Sequence, residues 1–163
     1  MARWPKVPAV YGWLALDRRG NWLLKDSTGG GLGRVGNVAL REFIGRNYTA
    51  DERGRWYFQN GPQRVFVALA YAPLVLRYEG EALVDHCGRA TRARATFVDE
   101  EGSVLIHGER GLGLLDDRDL ALFATRLGAD WRSLPRVASR EVAARFGFVS
   151  RPSVVGQFED PKA

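Results

Sequence analysis

Cysteine and histidine are nearly missing from this chain: there is one cysteine and there are two histidines in 163 residues. A single cysteine, Cys87, excludes an intramolecular disulfide framework and a cysteine-rich zinc site, and it suits a reducing compartment. With His86 and His107 the only imidazoles, little is left to build a metal centre, and neither a metal nor a cofactor is expected. No G-x-S-x-G, H-E-x-x-H or phosphate-binding P-loop is present. Long hydrophobic runs are missing too. The longest uncharged apolar stretch, Val65 to Leu76, contains Pro73 and is too short to span a bilayer, so no membrane association is expected. At the N-terminus, Arg3 and Lys6 precede "VPAVYGWLAL" as they would in a secretory signal. Pro8, Gly12 and two aromatics interrupt it, however, and "DRR" follows with no small-residue cleavage site; the stretch reads as a strand. A cytoplasmic protein is the expectation.

What is present is enough for a real core: 45% of residues are hydrophobic and 11% aromatic, in a length that suits one domain or two small repeats. The net charge of +5 permits nucleic-acid binding. Arginine outnumbers lysine along the whole chain, and acidic Asp99, Glu100 and Glu101 follow directly on Arg89, Arg92 and Arg94. The basic excess is therefore general and marks no single patch.

Asp-x-x-Gly-x-apolar is written three times, as "DRRGNW" from Asp17, "DERGRW" from Asp51 and "DEEGSV" from Asp99. Asp opens a turn by accepting backbone hydrogen bonds, and Gly supplies the positive φ that a Cβ opposes. The first and third copies read as hairpin connections and the second as the start of a strand after a helix. Metal chemistry would need convergent oxygen ligands, whereas each Asp here has its own Gly and its own strand. "NG" at Asn60 and Gly61 is a further hairpin signal. Trp22 and Trp56 then take corresponding positions in core or groove.

Helical periodicity appears twice. After Asn37, a good N-cap, Leu40, Phe43, Ile44 and Tyr48 share one face; after Asp116 or Asp117, Leu120, Phe123, Ala124 and Leu127 do the same, with Gly128 as C-cap. "GLG" precedes both, at Gly31 and Gly111, so hairpin, Gly-Leu-Gly and helix occur in that order in each half, as an internal duplication would give. Between them lie several strands, with a bend at Ala72-Pro73. A short helix from Ser139 to Phe146, capped by Gly147, and a loose tail complete the chain. The expected fold class is α+β with two similar lobes, each an antiparallel sheet with one principal helix, over residues 1–80 and 81–155, and a tail over 156–163.

The succession "GNWLLK", helix, "GRWYFQNGPQRVFVALAYAPLVLR" and "GERGLGLLDDRDLALFATRL" resembles an uncharacterised group of proteobacterial proteins. More distantly, "APLVL" and "GLGLLDDRDLALF" are similar to a family known only as a domain of unknown function. The resemblance implies two repeated α+β motifs, no assigned activity and a suggested part in signal transduction. It covers most of the chain, brings no catalytic residue with it and weakens downstream of Leu127.

Four stretches are candidates for function. "GLGRVG", Gly31 to Gly36, matches the dinucleotide pattern G-x-G-x-x-G, but its preceding strand belongs to an antiparallel hairpin, "DSTGG" intervenes, and no second parallel strand ends before Asp51; it reads as a Gly-rich loop entering a helix. Asp85, His86 and Cys87 bring a nucleophile and a base together, with His107 able to approach from the next hairpin, and would make a small hydrolase-like enzyme. Neighbours on a strand face opposite ways, so the bland reading is an inert thiol and a surface histidine. "SREVAARFGFVSRPSV", with Arg136, Arg140, Arg145 and Arg151, looks like the start of a winged helix-turn-helix, which gives a nucleic-acid-binding alternative. Pro152 and Gly156 fall in its would-be recognition helix, so a helix packed through Val142 and Phe146 is the competing reading. In "WYFQNGPQRV", Trp56, Gln59, Asn60, Gln63 and Arg64 offer donors and acceptors beside an aromatic wall. The leading reading is a non-catalytic ligand-binding or adaptor module for a small molecule or protein partner, with a groove between repeats as the expected place for function.

Overall fold

The structure is a computed structural model and describes residues 8–26 and 30–153. Two compact units divide the chain, one holding described residues 8–17, 21–26, 30–70 and 148–153, the other 18–20 and 71–147.

Both units are built on the same hairpin closure. At Asp51, Asp85 and Asp99, Oδ1 accepts the backbone N–H groups two and four residues on, at 2.9–3.0 Å. The glycine three residues on has φ +79°, +89° and +86° respectively, conformations that a Cβ would strain. Asp17 has the same outline: its Oδ1 accepts from Asn21 N–H at 2.8 Å, and Gly20 has φ +81°. In all four, the Asp N–H also donates to the carbonyl four residues on, at 2.8–3.0 Å. Asp85-His-Cys-Gly is therefore a fourth copy of the turn. The second copy is a hairpin too, because the short strand Tyr48–Ala50 stands between the helix and Asp51, where the sequence reading placed a strand start only.

In the N-terminal unit the order is β1 (Ala9–Leu16), β2 (Trp22–Lys25), β3 (Leu32–Arg34), α1 (Val38–Arg46), β4 (Tyr48–Ala50), β5 (Trp56–Asn60) and β6 (Gln63–Leu69). The sheet order is β3-β2-β1-β6-β5-β4. All neighbours are antiparallel except the central pair, β1 and β6, where two three-strand meanders meet with their first and last strands side by side. The Gly-Leu-Gly stretch before α1 is not a loop: Leu32–Arg34 pairs with β2 as an edge strand. Asn37 caps α1, its Oδ1 accepting from Leu40 N–H at 2.9 Å. The helix joins the two end strands and so crosses a face of the sheet, burying Ile44 and setting Phe43 edge-on to Phe58, 5.4 Å between ring centroids.

The C-terminal unit repeats the sheet: β7 (Leu74–Glu79), β8 (Ala82–Asp85), β9 (Ala90–Thr91), β10 (Ala93–Val98), β11 (Val104–Gly108) and β12 (Gly111–Leu115), in the order β10-β11-β12-β7-β8-β9 with β7 and β12 parallel at the centre. Arg92 alone separates β9 from β10, so the two ends of this sheet are one continuous stretch and the sheet curls back on itself. Gly108 sits where it closes: a Cβ there would lie 2.5 Å from Thr91 Oγ1 and 2.9 Å from the Arg92 carbonyl. The helix α2 (Leu120–Leu127) comes after the sixth strand, and it packs Leu120 and Phe123 on buried Leu76, Val98, Val104, Ile106 and Leu115. Duplication of the sheets is thus real, but the helices enter at different points, α1 after an edge strand and α2 after a central one. The matched "GLG" stretches are not equivalent positions. The α+β, two-lobed expectation holds, with one parallel pair at the centre of each sheet.

The start of α2 is held by two buried carboxylates. Asp116 caps a 3₁₀ turn, Asp117–Asp119, and pairs with Arg118; Asp119 accepts from Arg77 at 2.8 Å and from Tyr78 N–H at 2.9 Å. Burial alone would raise the Asp116 pKa, but the bonds from the Arg118 side chain and backbone outweigh it and the carboxyl titrates below its ordinary value. Asp119 is lowered chiefly by the Arg77 hydrogen bond, against the cost of burial. The tail expected over 156–163 lies outside the described residues, as do Val154 to Gly156 of the proposed recognition helix. Ser139–Phe146 forms a 3₁₀ turn and α3 (Val142–Phe146), ended by Gly147 at φ +74°.

Two expectations follow. Asp99 is 2% exposed and accepts two amides and, at 2.7 Å, the Tyr71 hydroxyl. Asp99→Ala should cost about 3 kcal/mol or more in urea unfolding, while exposed Glu101→Ala in the same turn stays within about 0.5 kcal/mol. Because the folded pKa values of Asp116 and Asp119 are depressed, their contribution is complete above the unfolded value of about 3.9 and is lost as pH falls below it. The thermal midpoint should drop in that acid range, and Asp119→Asn should be less stable at neutral pH with a shallower acid loss.

Candidate functional site

Strand alternation decides which side chains meet α1. Leu14, Leu24, Phe58 and Val65 face the helix from four different strands, and with Leu40, Phe43 and Ile44 they enclose a cavity of about 360 Å³. Val10, Trp13, Asn60 and Gln63 complete the lining. Its apolar walls and small number of polar groups are those of a small-molecule site, at the lower end of the usual size.

The two ends of this face differ. At one, Trp22, Tyr48 and Trp56 are packed together, with centroids 4.9 Å apart in each adjoining pair and exposures of 2%, 2% and 7%. Trp22 pairs with Leu16, and Trp56 with Ala50. Asn60, at the far end of β5, pairs with Gln63, and β6 begins there alongside the start of β1. This second end is open: Asn60 is exposed, Gln63 half-buried and Trp13 44% exposed. Trp13 follows an irregularity in β1, where Val10 to Leu14 spans four residues against two in β6 and Gly12 has φ +80°. The Lys25 ammonium lies 4.9 Å from the Trp13 ring centroid.

The structure sorts the five residues singled out in "WYFQNGPQRV". Asn60 and Gln63 line the cavity, joined by a long 3.5 Å hydrogen bond from Asn60 Nδ2 to Gln63 Oε1. Trp56 shares their face but belongs to the aromatic cluster at the closed end. Gln59 and Arg64 alternate to the opposite face. Gln59 Nε2 donates to the Gly61 carbonyl at 2.7 Å, bracing the Asn-Gly turn, and the Arg64 guanidinium stacks 4.4 Å from the Tyr57 ring centroid. Sequence reasoning identified the α1 face, Leu40, Phe43 and Ile44, but as core. It did not pick out Trp13 or Leu24; the glycine inside β1 was the available signal for the first.

In the C-terminal unit, the equivalent positions are filled differently. Counting from the Asp turns, Asn60 and Gln63 correspond to Gly108 and Gly111, which pair in the same way. Val65 corresponds to Gly113, where a Cβ would lie 2.6 Å from Leu76 Cδ1. Tyr78, Leu83 and Leu134 pack with Leu120 and Phe123 against the core.

The other candidates are engaged in structure. The Asp85 carboxylate takes the Cys87 and Arg89 amides and the Arg110 guanidinium. His86 Nδ1 accepts from Val75 N–H at 3.1 Å. Burial first, and then Asp85, push the Cys87 thiol up to about 12, far from a nucleophile's range. His107 packs on the Phe146 ring at 5.4 Å. Arg145 stacks over Phe97 and Phe146. Arg136 and Arg140 line a shallow surface hollow with Glu100. Among the described residues, no three His, Cys, Asp or Glu side chains converge as a metal site would require, and no helix is long and apolar enough to cross a membrane.

Comparison with known proteins adds a family and a fold. No curated protein matches the chain. Among solved structures it is similar to a DUF1285 family protein from Silicibacter pomeroyi DSS-3, with a TM-score of 0.53 and 15% identity over 74% of this chain and 72% of that one. It is similar also to a DUF1285 family protein from Shewanella baltica OS155, with a TM-score of 0.53 and 14% identity over 72% of this chain and 94% of that one. At such identities the likeness is one of fold. Residues 1–153 match the DUF2944 family, described as "Protein of unknown function (DUF2946)", and the chain belongs to that family.

Proposed function

We propose that the chain is a non-catalytic binding module whose N-terminal unit takes a small molecule with an apolar body into the cavity beneath α1. The supporting observation is the cavity itself: about 360 Å³, walled by aliphatic and aromatic side chains, with two amides at its open end. At about 30 Å³ per water-sized group, this is room for about a dozen non-hydrogen atoms. The paired unit supports the reading, since there a helix with the same Leu and Phe spacing packs both side chains directly on buried sheet residues. A part in signal transduction fits a module of this kind, and a protein partner would then respond to its occupancy.

The test is a calorimetric titration with neutral n-alkanols from six to ten carbons, kept below micellar concentrations. Each methylene buried is worth about 0.8 kcal/mol, so affinity should rise about fourfold per carbon until the cavity is full. Leu40→Trp, which fills the cavity from the half-buried helix face, should abolish binding with little change in thermal midpoint. Absence of any chain-length dependence would overturn the reading. The non-catalytic part has its own check: in the folded protein, Cys87 should react with a disulfide reagent at pH 8 at least about tenfold more slowly than in urea. A rate equal to that of the unfolded chain would count against it.

A further inference from the structure

We infer that the ligand is uncharged and that its head group is an amide or its equivalent, a hydrogen-bond donor and acceptor side by side, held by Asn60 and Gln63. The inference rests on the binding reading above and adds the chemistry of the head.

The described lining contains no ionisable side chain, and the Lys25 ammonium beside Trp13 is already stacked on that ring, so an ionised head drawn in among the apolar walls would give up water with no opposite charge in the lining. Its polar side chains besides the Trp13 indole are two primary amides, and the hairpin register sets where they stand. Asn60 and Gln63 are directly opposed across the β5–β6 hairpin. The turn between them is braced by Gln59 Nε2, which donates to the Gly61 carbonyl at 2.7 Å and the Gln63 carbonyl at 3.3 Å. The two side chains share one bond, Asn60 Nδ2 to Gln63 Oε1. Beyond that bond the two amides keep both acceptor sites, chiefly Asn60 Oδ1, and donors, chiefly Gln63 Nε2. A carboxylate, acceptor-only, can use only the donors; an ammonium, donor-only, only the acceptors. A carboxamide can satisfy both at once while its hydrocarbon body fills the walls formed by Leu14, Leu24, Phe43 and Phe58. The glycines at the corresponding positions of the other unit, Gly108 and Gly111, show that the hairpin does not need these amides for its own closure.

The probes are decanamide, decanol, decanoate and decylamine, each titrated into the full chain at pH 7. Decanamide should bind about fivefold more tightly than decanol, from one additional net hydrogen bond of about 1 kcal/mol. It should bind at least about tenfold more tightly than either charged probe. In Asn60→Leu with Gln63→Leu, decanamide and decanol should bind equally, decanamide having lost more than decanol. Asn60→Asp should gain decylamine binding at the expense of decanamide. Decanoate binding as tightly as decanamide, or an amide preference that survives the double variant, overturns the inference and leaves the binding reading intact. Failure of all four probes overturns both.

Discussion

A buried aspartate that accepts the amides of its own hairpin is the interaction on which both sheets depend. One oxygen of Asp51, Asp85 and Asp99 holds the turn, and the other is left to reach elsewhere: to Arg55 from Asp51, to Arg110 from Asp85 and to the Tyr71 hydroxyl from Asp99. Charge-assisted bonds of this kind are stronger than neutral ones, and at exposures of 4% for Asp85 and 2% for Asp99 their loss would strand a charge. Each turn thus sets the register of its two strands; Asp85 and Asp99 also tie their hairpins to a third segment, while Asp51 closes on its own Arg55. Short strands of two to eight residues can then make sheets of six.

The same device explains why Asp85-His-Cys-Gly looked like chemistry and is architecture. A catalytic triad needs a base free to take a proton and a nucleophile near its ionisation range. Here the carboxylate is spent on amides and an arginine, the imidazole accepts from a backbone N–H, and the thiol is pushed up by burial beside a carboxylate. The residue types were right for a reaction; the turn had already used them.

Much of the fold was legible because it is written in local physics. Asp-x-x-Gly names its turn through a side-chain acceptor and a positive φ, Asn37 names a helix start, and Gly128 and Gly147 name helix ends. The parallel central pairs were not legible, since β1 meets β6 and β7 meets β12 across many residues with no local signal at either strand. The cavity was half legible. Asn60 and Gln63 stood out as amides flanking a turn, yet whether Gln59 or Asn60 faces the helix is a matter of alternation in a register that sequence does not state. Leu40 and Phe43 carried a clear helical stripe, but a stripe says only that a face is apolar. It does not say how closely the face it meets will approach.

That approach depends on where each helix enters the chain. Immediately before α1, Val35 N–H is bonded to the Trp22 carbonyl at 2.9 Å, and immediately after it, Gln59 N–H is bonded to the Asn47 carbonyl at 2.9 Å. The helix is pinned to a strand at both ends, and nine residues give it about 13 Å to cross between two edges of the sheet. Between these anchors Phe43 meets Phe58 of the sheet edge-on, and the cavity lies among the side chains around that contact. In the other unit the sheet closes through Arg92 without a helix, and α2 is anchored at its start by Asp116 and Asp119 and runs on into the 3₁₀ turn Gly128–Ser133. Its last turn is tied to the same sheet, Arg126 donating to the Gly80 carbonyl at 3.0 Å and stacking over Tyr78, and between these ties Leu120 and Phe123 pack on the buried sheet residues. The two sheets share an order but not a helix position: α1 spans two edge strands beside the cavity, whereas α2 follows a central strand and sets Leu120 and Phe123 on buried Leu76, Val98, Val104, Ile106 and Leu115.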